Sequence, residues 1–270
     1  MRILICGDVV GRSGRTVITE NLKGLRERYR IDFVIVNGEN AAGGFGITPK
    51  ICKEFFDAGT DVITTGNHVW DQREIIPHFD KEPRILRPDN FPAGTPGRGV
   101  GEYTDARGRK VVVLHLMARL FMDPLDDPFA AVEKMLSTWR LGANANAIVF
   151  DFHGEATSEK MAMAHFVDGR VSAVVGTHTH IPTADAQVLP GGTGYQSDLG
   201  MCGDYDSVIG IRKEISIERF VRKMPTARME AAQQEATLCA VLVDTDDATG
   251  LATDIRPLRM GGRLRAEMPD

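Results

Sequence analysis

Five apolar runs in this chain stop abruptly at carboxylate, amide or imidazole side chains, and that repeated ending constrains the fold more than any other feature. The plainest case is Val174-Val175-Gly176-Thr177-His178-Thr179-His180, where an apolar run meets a glycine and two histidines follow. The others end at Gly7-Asp8, at Asn37-Gly38-Glu39-Asn40, at Gly66-Asn67-His68, and at His153 in Ile148-Val149-Phe150-Asp151-Phe152-His153-Gly154. Short apolar runs bounded in this way read as buried strands, and open α/β sheets collect their chemistry at strand ends. On an extended segment, imidazoles at i and i+2 point the same way, so His178 and His180 are expected to reach one metal cluster.

Helical patterns separate the runs. Residues 16–29 place Val17, Leu22 and Leu25 at helical spacing, and Thr48-Pro49 offers an N-cap and first-turn proline ahead of Ile51, Phe55 and Phe56. The opening order β-α-β-α-β implies parallel strands covered by helices. Residues 83–109, rich in proline and glycine, read as a long loop before a strand at 110–116. Further helices are expected at 128–140, at 157–166 with Thr157-Ser158-Glu159-Lys160 as its cap, and at 207–223. Strands are expected at 147–152, 171–175, 186–189, 194–196, 236–244 and 252–258. No linker, repeat or low-complexity block interrupts them. The expectation is one α/β domain over 1–270, a four-layer α/β/β/α sandwich of two mixed sheets flanked by helices.

Composition narrows the function classes. A chain of 270 residues, 43% hydrophobic and 26% charged, can bury a large core. A net charge of −5 argues against nucleic acid as the main partner, though it leaves a single nucleotide open as substrate. Cys6, Cys52, Cys202 and Cys239 form no CxxC pair and read as reduced small hydrophobes. The first residues enter a strand-like run without a signal-peptide stretch, and no run approaches the roughly 20 apolar residues of a membrane span. A cytoplasmic protein with no membrane partner is expected. A homo-oligomer is compatible with the sequence, which specifies no interface.

Metal binding without thiolates calls for imidazole nitrogen with carboxylate or amide oxygen, a mixture suited to Mn, Fe or Zn. Asp8, Glu39, Asn40, Asn67, His153, His178 and His180 supply that mixture, each at or just beyond a strand end. Two ions roughly 3.5–4 Å apart need a bridging carboxylate, and a water between them would ionise near neutral pH and attack phosphorus in line. A leaving alkoxide then needs a proton, which His68, beside Asn67, is placed to donate.

The order of these motifs resembles the calcineurin-like metallophosphoesterase superfamily, whose motifs run GDxHG, GDxxDRG, GNH(E/D), a strand-end histidine and GHxH. The match spans nearly the whole chain, with three departures: Val10 stands at the usual first-motif histidine, Glu39 replaces the bridging aspartate, and no acid follows His68. In those departures Gly7-Asp8-Val9-Val10-Gly11-Arg12, Asn37-Gly38-Glu39-Asn40-Ala41 and Asp151-Phe152-His153 are similar to the YmdB-type branch. That resemblance implies 2′,3′-cyclic nucleotide phosphodiesterase activity, extending to other phosphodiesters. It also implies two metal ions, one on Asp8, Glu39, Asn40 and His180, the other on Glu39, Asn67, His153 and His178. Asn40 would supply the ligand that Val10 cannot. The oxygen-rich first site favours Fe or Mn, with Zn as the other candidate. A phosphomonoesterase or protein phosphatase with the same core, and a cyclic-nucleotide-sensing regulator with a vestigial site, are the alternatives.

The remaining candidates carry less. Arg12, Phe45 and Tyr195 are expected in loops reaching the metal centre, as a phosphate contact and stacking faces for a base. His115 reads as a core histidine, His78 and His165 as solvent-facing, and Glu155 either as a carboxylate orienting an imidazole or as surface. A dinucleotide site at 7–14 is excluded, because Asp8 and Val10 stand where a pyrophosphate's close approach needs glycine.

Overall fold

In the computed structural model, which describes residues 1–224 and 227–269, alternation along each strand builds the layers. The chain runs β1 (Arg2–Cys6), β2 (Asp8–Val9), α1 (Gly11–Tyr29), β3 (Phe33–Asn37), α2 (Pro49–Ala58) and β4 (Val62–Thr64). A 3-10 helix (Arg73–His78) leads to β5 (Val100–Thr104), β6 (Lys110–Met117), α3 (Pro128–Thr138), β7 (Ala147–His153), α4 (Thr157–Phe166) and β8 (Ala173–Thr177). Then come β9 (Gln187–Val188), β10 (Gly194–Gln196), β11 (Met201–Asp204), α5 (Lys213–Arg222), β12 (Ala236–Thr245) and β13 (Ala252–Met260).

The first sheet is ordered β2-β11-β12-β1-β3-β4, with β13 also on β12; the second is β5-β6-β7-β8-β10-β9. Each mixes directions: β1 is parallel to β3 but antiparallel to β12, and β6 is parallel to β7 but antiparallel to β5. Because strand side chains alternate, Ile3, Ile5 and Ile35 face inward against Val111, Val113, Val149 and Val175 of the other sheet. Leu4, Cys6, Val34 and Val36 face outward under α1 and α2, while Leu114, Ile148, Phe150 and Phe152 lie under α3 and α4. The four layers α/β/β/α follow from that alternation, as the sequence leads one to expect.

Several boundaries differ for local reasons. The helix α1 starts at Gly11 rather than near 16, and its buried stripe is Ile18, Leu22, Leu25 and Tyr29, with Val17 only half-buried. Residues 100–104 leave the expected long loop to pair with β6, and β11 and the 3-10 helix are additional elements. The last helix begins at Lys213, not 207. Ser207 turns the chain instead, accepting Gly210 N–H at 2.8 Å, and Ile209 and Gly210 take left-handed φ of 46° and 92°. At α4 the N-cap is Ala156 without a side-chain bond, and Glu159 accepts the backbone N–H groups of Arg119 and Leu120 at 2.9 Å each. All four cysteines are free and buried.

Candidate metal centre

Parallel β1, β3, β4, β7 and β8 end at one rim, and their C-terminal residues converge there from both sheets. The first sheet delivers Asp8, Glu39, Asn40 and Asn67; the second delivers His153, His178 and His180. These side chains form two clusters, Glu39 with His153 and His178, and Asp8 with Glu39 and His180; ligand atoms within each lie within 4.8 Å of one another. Glu39 belongs to both. Asn67 Oδ1 lies 2.9 Å from His153 Nε2, and Asn40 Nδ2 lies 3.0 Å from His180 Nε2, so each cluster gains one amide.

Hydrogen bonds set the free nitrogen of His153 and His180, and a neighbouring carboxylate faces Nε2 of His178. Thr177 Oγ1 donates to Asp151 Oδ1 at 2.7 Å and so accepts from His153 Nδ1 at 2.8 Å, leaving Nε2 with its lone pair toward Glu39. The Nδ1 of His180 donates to Ile209 O at 2.7 Å, again freeing Nε2. For His178 the roles reverse: Nε2 faces Glu155 Oε2 at 3.2 Å, and Nδ1 faces the cluster. Glu155 is exposed and also faces an imidazole, so both readings open to it hold in part. This pattern of outer partners holding ligand tautomers is what metal-bound histidines require.

The two histidines after β8 do not converge by strand alternation. The strand ends at Thr177, and His178 and His180 have φ of 103° and 68°, a left-handed conformation that side chains other than glycine rarely adopt. A buried ion pair holds the turn. Lys160 Nζ donates to Thr177 O and to Asp198 Oδ2, both at 2.9 Å, and Asp198 Oδ2 accepts Thr179 N–H at 3.0 Å. Gly66 has no room for a side chain, since a Cβ there would sit 2.1 Å from Glu39 Oε2 and 2.4 Å from His153 Nε2.

Burial dominates the electrostatics of the centre. Burial, and then the neighbouring Glu39 charge, pushes the Asp8 carboxyl well above its usual range, and burial raises Glu39 to about 7. Burial lowers His178 to about 4, helped by His180, and depresses His153 and His180 as well. The buried Asp8 Oδ1 has no hydrogen-bond partner.

Of the other expected residues, the structure brings two to the rim and leaves two away. His68 and Phe45 line a cavity of about 400 Å³ beside Glu39, His178 and His180. The imidazole of His68 meets Asp71 Oδ2 at 2.8 Å through Nδ1, and its backbone N–H lies 3.3 Å from Glu39 Oε2. Arg12 is not in a loop at the centre: it is exposed on α1 in a separate groove with Glu20 and Gln234. Tyr195 is not there either. It lies on β10, 1% exposed within the α3–α4 core, its hydroxyl on Ser197. His115 is buried with Nδ1 on Asp151 O. The supporting residues Asn37, Asp151, Thr177, Lys160 and Asp198 carry no role in the sequence reading. Only Asp151 had a local signal, since it precedes His153 by two positions and shares its face of β7.

The chain is similar along nearly its whole length to known proteins. The model of the family described as YmdB-like protein matches residues 4–258. A Bacillus subtilis protein named 2′,3′-cyclic-nucleotide 2′-phosphodiesterase is 46% identical over 255 residues, covering 94% of this chain and 95% of that protein. The crystal structure of a hypothetical protein from Thermus thermophilus superposes with a TM-score of 0.90 at 41% identity, covering 97% of this chain and 100% of that one. A structure described as a novel phosphatase from Mycoplasma pneumoniae also gives 0.90, at 30% identity, covering 100% and 95%.

Proposed function

The chain belongs to the YmdB-like protein family, and from that membership and the carboxylate shared by two ligand clusters we propose a metal-dependent phosphodiesterase that hydrolyses 2′,3′-cyclic nucleotides. The observation that carries the reading is Glu39, which belongs to both clusters. The residues present fit a pair of cations. Asp8 Oδ1 is buried without a hydrogen-bond partner, burial raises both the Asp8 and Glu39 carboxyls, and His153 and His180 each have one nitrogen held back by a hydrogen bond while His178 turns its Nε2 to Glu155.

Asp8, Glu39, Asn40 and His180 would hold one ion, and Glu39, Asn67, His153 and His178 the other. Asn40 does so once its amide turns half a revolution, which exchanges Nδ2 for Oδ1. The first set carries one imidazole against two in the second, and this richer oxygen set favours Fe or Mn over Zn. Bound there, the ions would supply positive charge for the phosphoryl oxygens and lower the pKa of water toward neutrality. His68 stands in the same cavity as general acid for the departing alkoxide, its ring oriented by Asp71. Phe45 offers an aromatic face to the base from the cavity wall, its ring 5.1 Å from that of His68.

Elemental analysis of purified protein and of Glu39→Ala, with hydrolysis of 2′,3′-cyclic AMP assayed on both, tests this reading. A dinuclear centre predicts about two metals per chain, lost together with activity in the variant. Protein that takes up no Mn, Fe or Zn and stays inactive after their addition refutes it.

A further inference from the structure

A second cavity, of about 700 Å³, adjoins the first and shares Phe45 and Met229 with it. Its other walls bring Arg219, Lys223 and Arg228 together with Phe220. Among the described residues none of the three cations pairs with a carboxylate, although the chain has a net charge of −5 and engages many of its other arginines in ion pairs. The ring of Phe220 is 66% exposed, with Lys223 Nζ 5.7 Å from its centroid. Arg219 donates to Met229 Sδ at 3.4 Å, and cations free of carboxylates beside an exposed aromatic ring form the surface on which single-stranded nucleic acid lies, phosphates on the charges and bases on the rings. A mononucleotide seated at the metal clusters beside Phe45 has no second phosphate to place there.

We infer that this cavity binds the 5′ portion of an oligoribonucleotide whose terminal 2′,3′-cyclic phosphate enters the metal centre, so that RNA ends are substrates alongside free cyclic nucleotides. The inference rests on the phosphodiesterase reading above and adds the substrate class. Arg219, Lys223 and Arg228 carry upstream phosphates, and Phe220 stacks an upstream base.

The test compares kcat/KM on the metal-loaded full chain for 2′,3′-cyclic AMP and for a short oligoribonucleotide ending in a 2′,3′-cyclic phosphate, with the variant R219Q/K223Q/R228Q beside it. The oligonucleotide is expected to be favoured about tenfold or more at low salt, through KM, and the preference to fall as NaCl rises. The variant should lose the preference while turning over 2′,3′-cyclic AMP within about twofold of the parent rate. Equal kcat/KM for the two substrates in the parent, or a preference that survives in the variant, overturns the inference. If neither substrate is hydrolysed with Mn, Fe or Zn, the phosphodiesterase reading fails by itself. Fluorescence anisotropy with a labelled oligoribonucleotide ending in a 3′-phosphate then decides the cavity: weaker binding by the variant upholds it, and equal binding overturns it.

Discussion

At the scale of single residues, each ligand candidate is defined by what occupies its other face. The imidazole of His153 is fixed by Thr177, that of His180 by Ile209 O, and that of His178 by Glu155. His68 differs, because its Nδ1 partner is a carboxylate and its ring opens into the cavity. A carboxylate behind an imidazole keeps the ring aimed, as a positioned proton donor requires. His68→Ala is therefore expected to slow cleavage of a diester with an alkoxide leaving group by about 10²–10⁴-fold, while an activated aryl phosphodiester declines far less. Steady-state rates on the two esters check this, and equal declines would remove the acid role. Asp71→Asn should give the same selective pattern at smaller amplitude. Phe45 and His68 reach the cavity because they sit in loops shortly after strand ends. Arg12 and Tyr195 misled because a glycine-flanked arginine and a tyrosine near a turn carry no local sign of which way helix α1 and strand β10 will face.

At the scale of elements, the pairing of β7 with β8 does what no single residue can. Their parallel register sets His153 opposite Thr177, with Asp151 two residues back on the same face. A slip of one residue would turn all three side chains to the other side of the sheet. Thr177→Val keeps the side chain's shape but deprives His153 Nδ1 of its acceptor and Asp151 of a donor. We expect metal affinity to fall about 10–100-fold and stability by about 1–3 kcal/mol, measured by metal titration calorimetry and by denaturant unfolding. Unchanged affinity would mean that the Thr177 hydroxyl does not set the imidazole. The turn after β8 is the counterpart: two left-handed histidines persist because the Lys160–Asp198 pair grips the backbone on either side of His178. Neither partner could be picked from sequence, being 18 and 20 residues away from His178 and ordinary in local composition.

Across the whole molecule, the metal centre and the fold's stability are linked through buried ionisable groups. Asp8 and Glu39 have raised pKa values in the folded chain, so without a cation they favour folding only while protonated. The stability tied to Glu39 is complete below pH 4.5, is lost as pH rises, and is gone above about 7. The buried histidines act oppositely, costing stability as pH falls below their usual 6.5, with His178 titrating at about 4. In metal-free protein, Glu39→Gln should match the parent below pH 4.5 and exceed it above pH 7 by on the order of 3 kcal/mol. Melting curves of both proteins across that range, with and without Mn, give the difference directly. Mn should stabilise the parent and leave the variant much less changed. A difference that does not vary with pH would show that Glu39 is not ionised alone in the metal-free chain. By itself the sequence determined the layer order and the candidate ligands at strand ends, because alternation, apolar runs and the residues that stop them are local properties of the chain. Only the tertiary structure decided that the two histidines after β8 meet the centre through a left-handed turn, that Lys160 and Asp198 hold that turn, and that β5 and β11 exist at all. Each of those depends on a partner strand or a buried charge distant in sequence, and the free energy that selects it comes from burying both together.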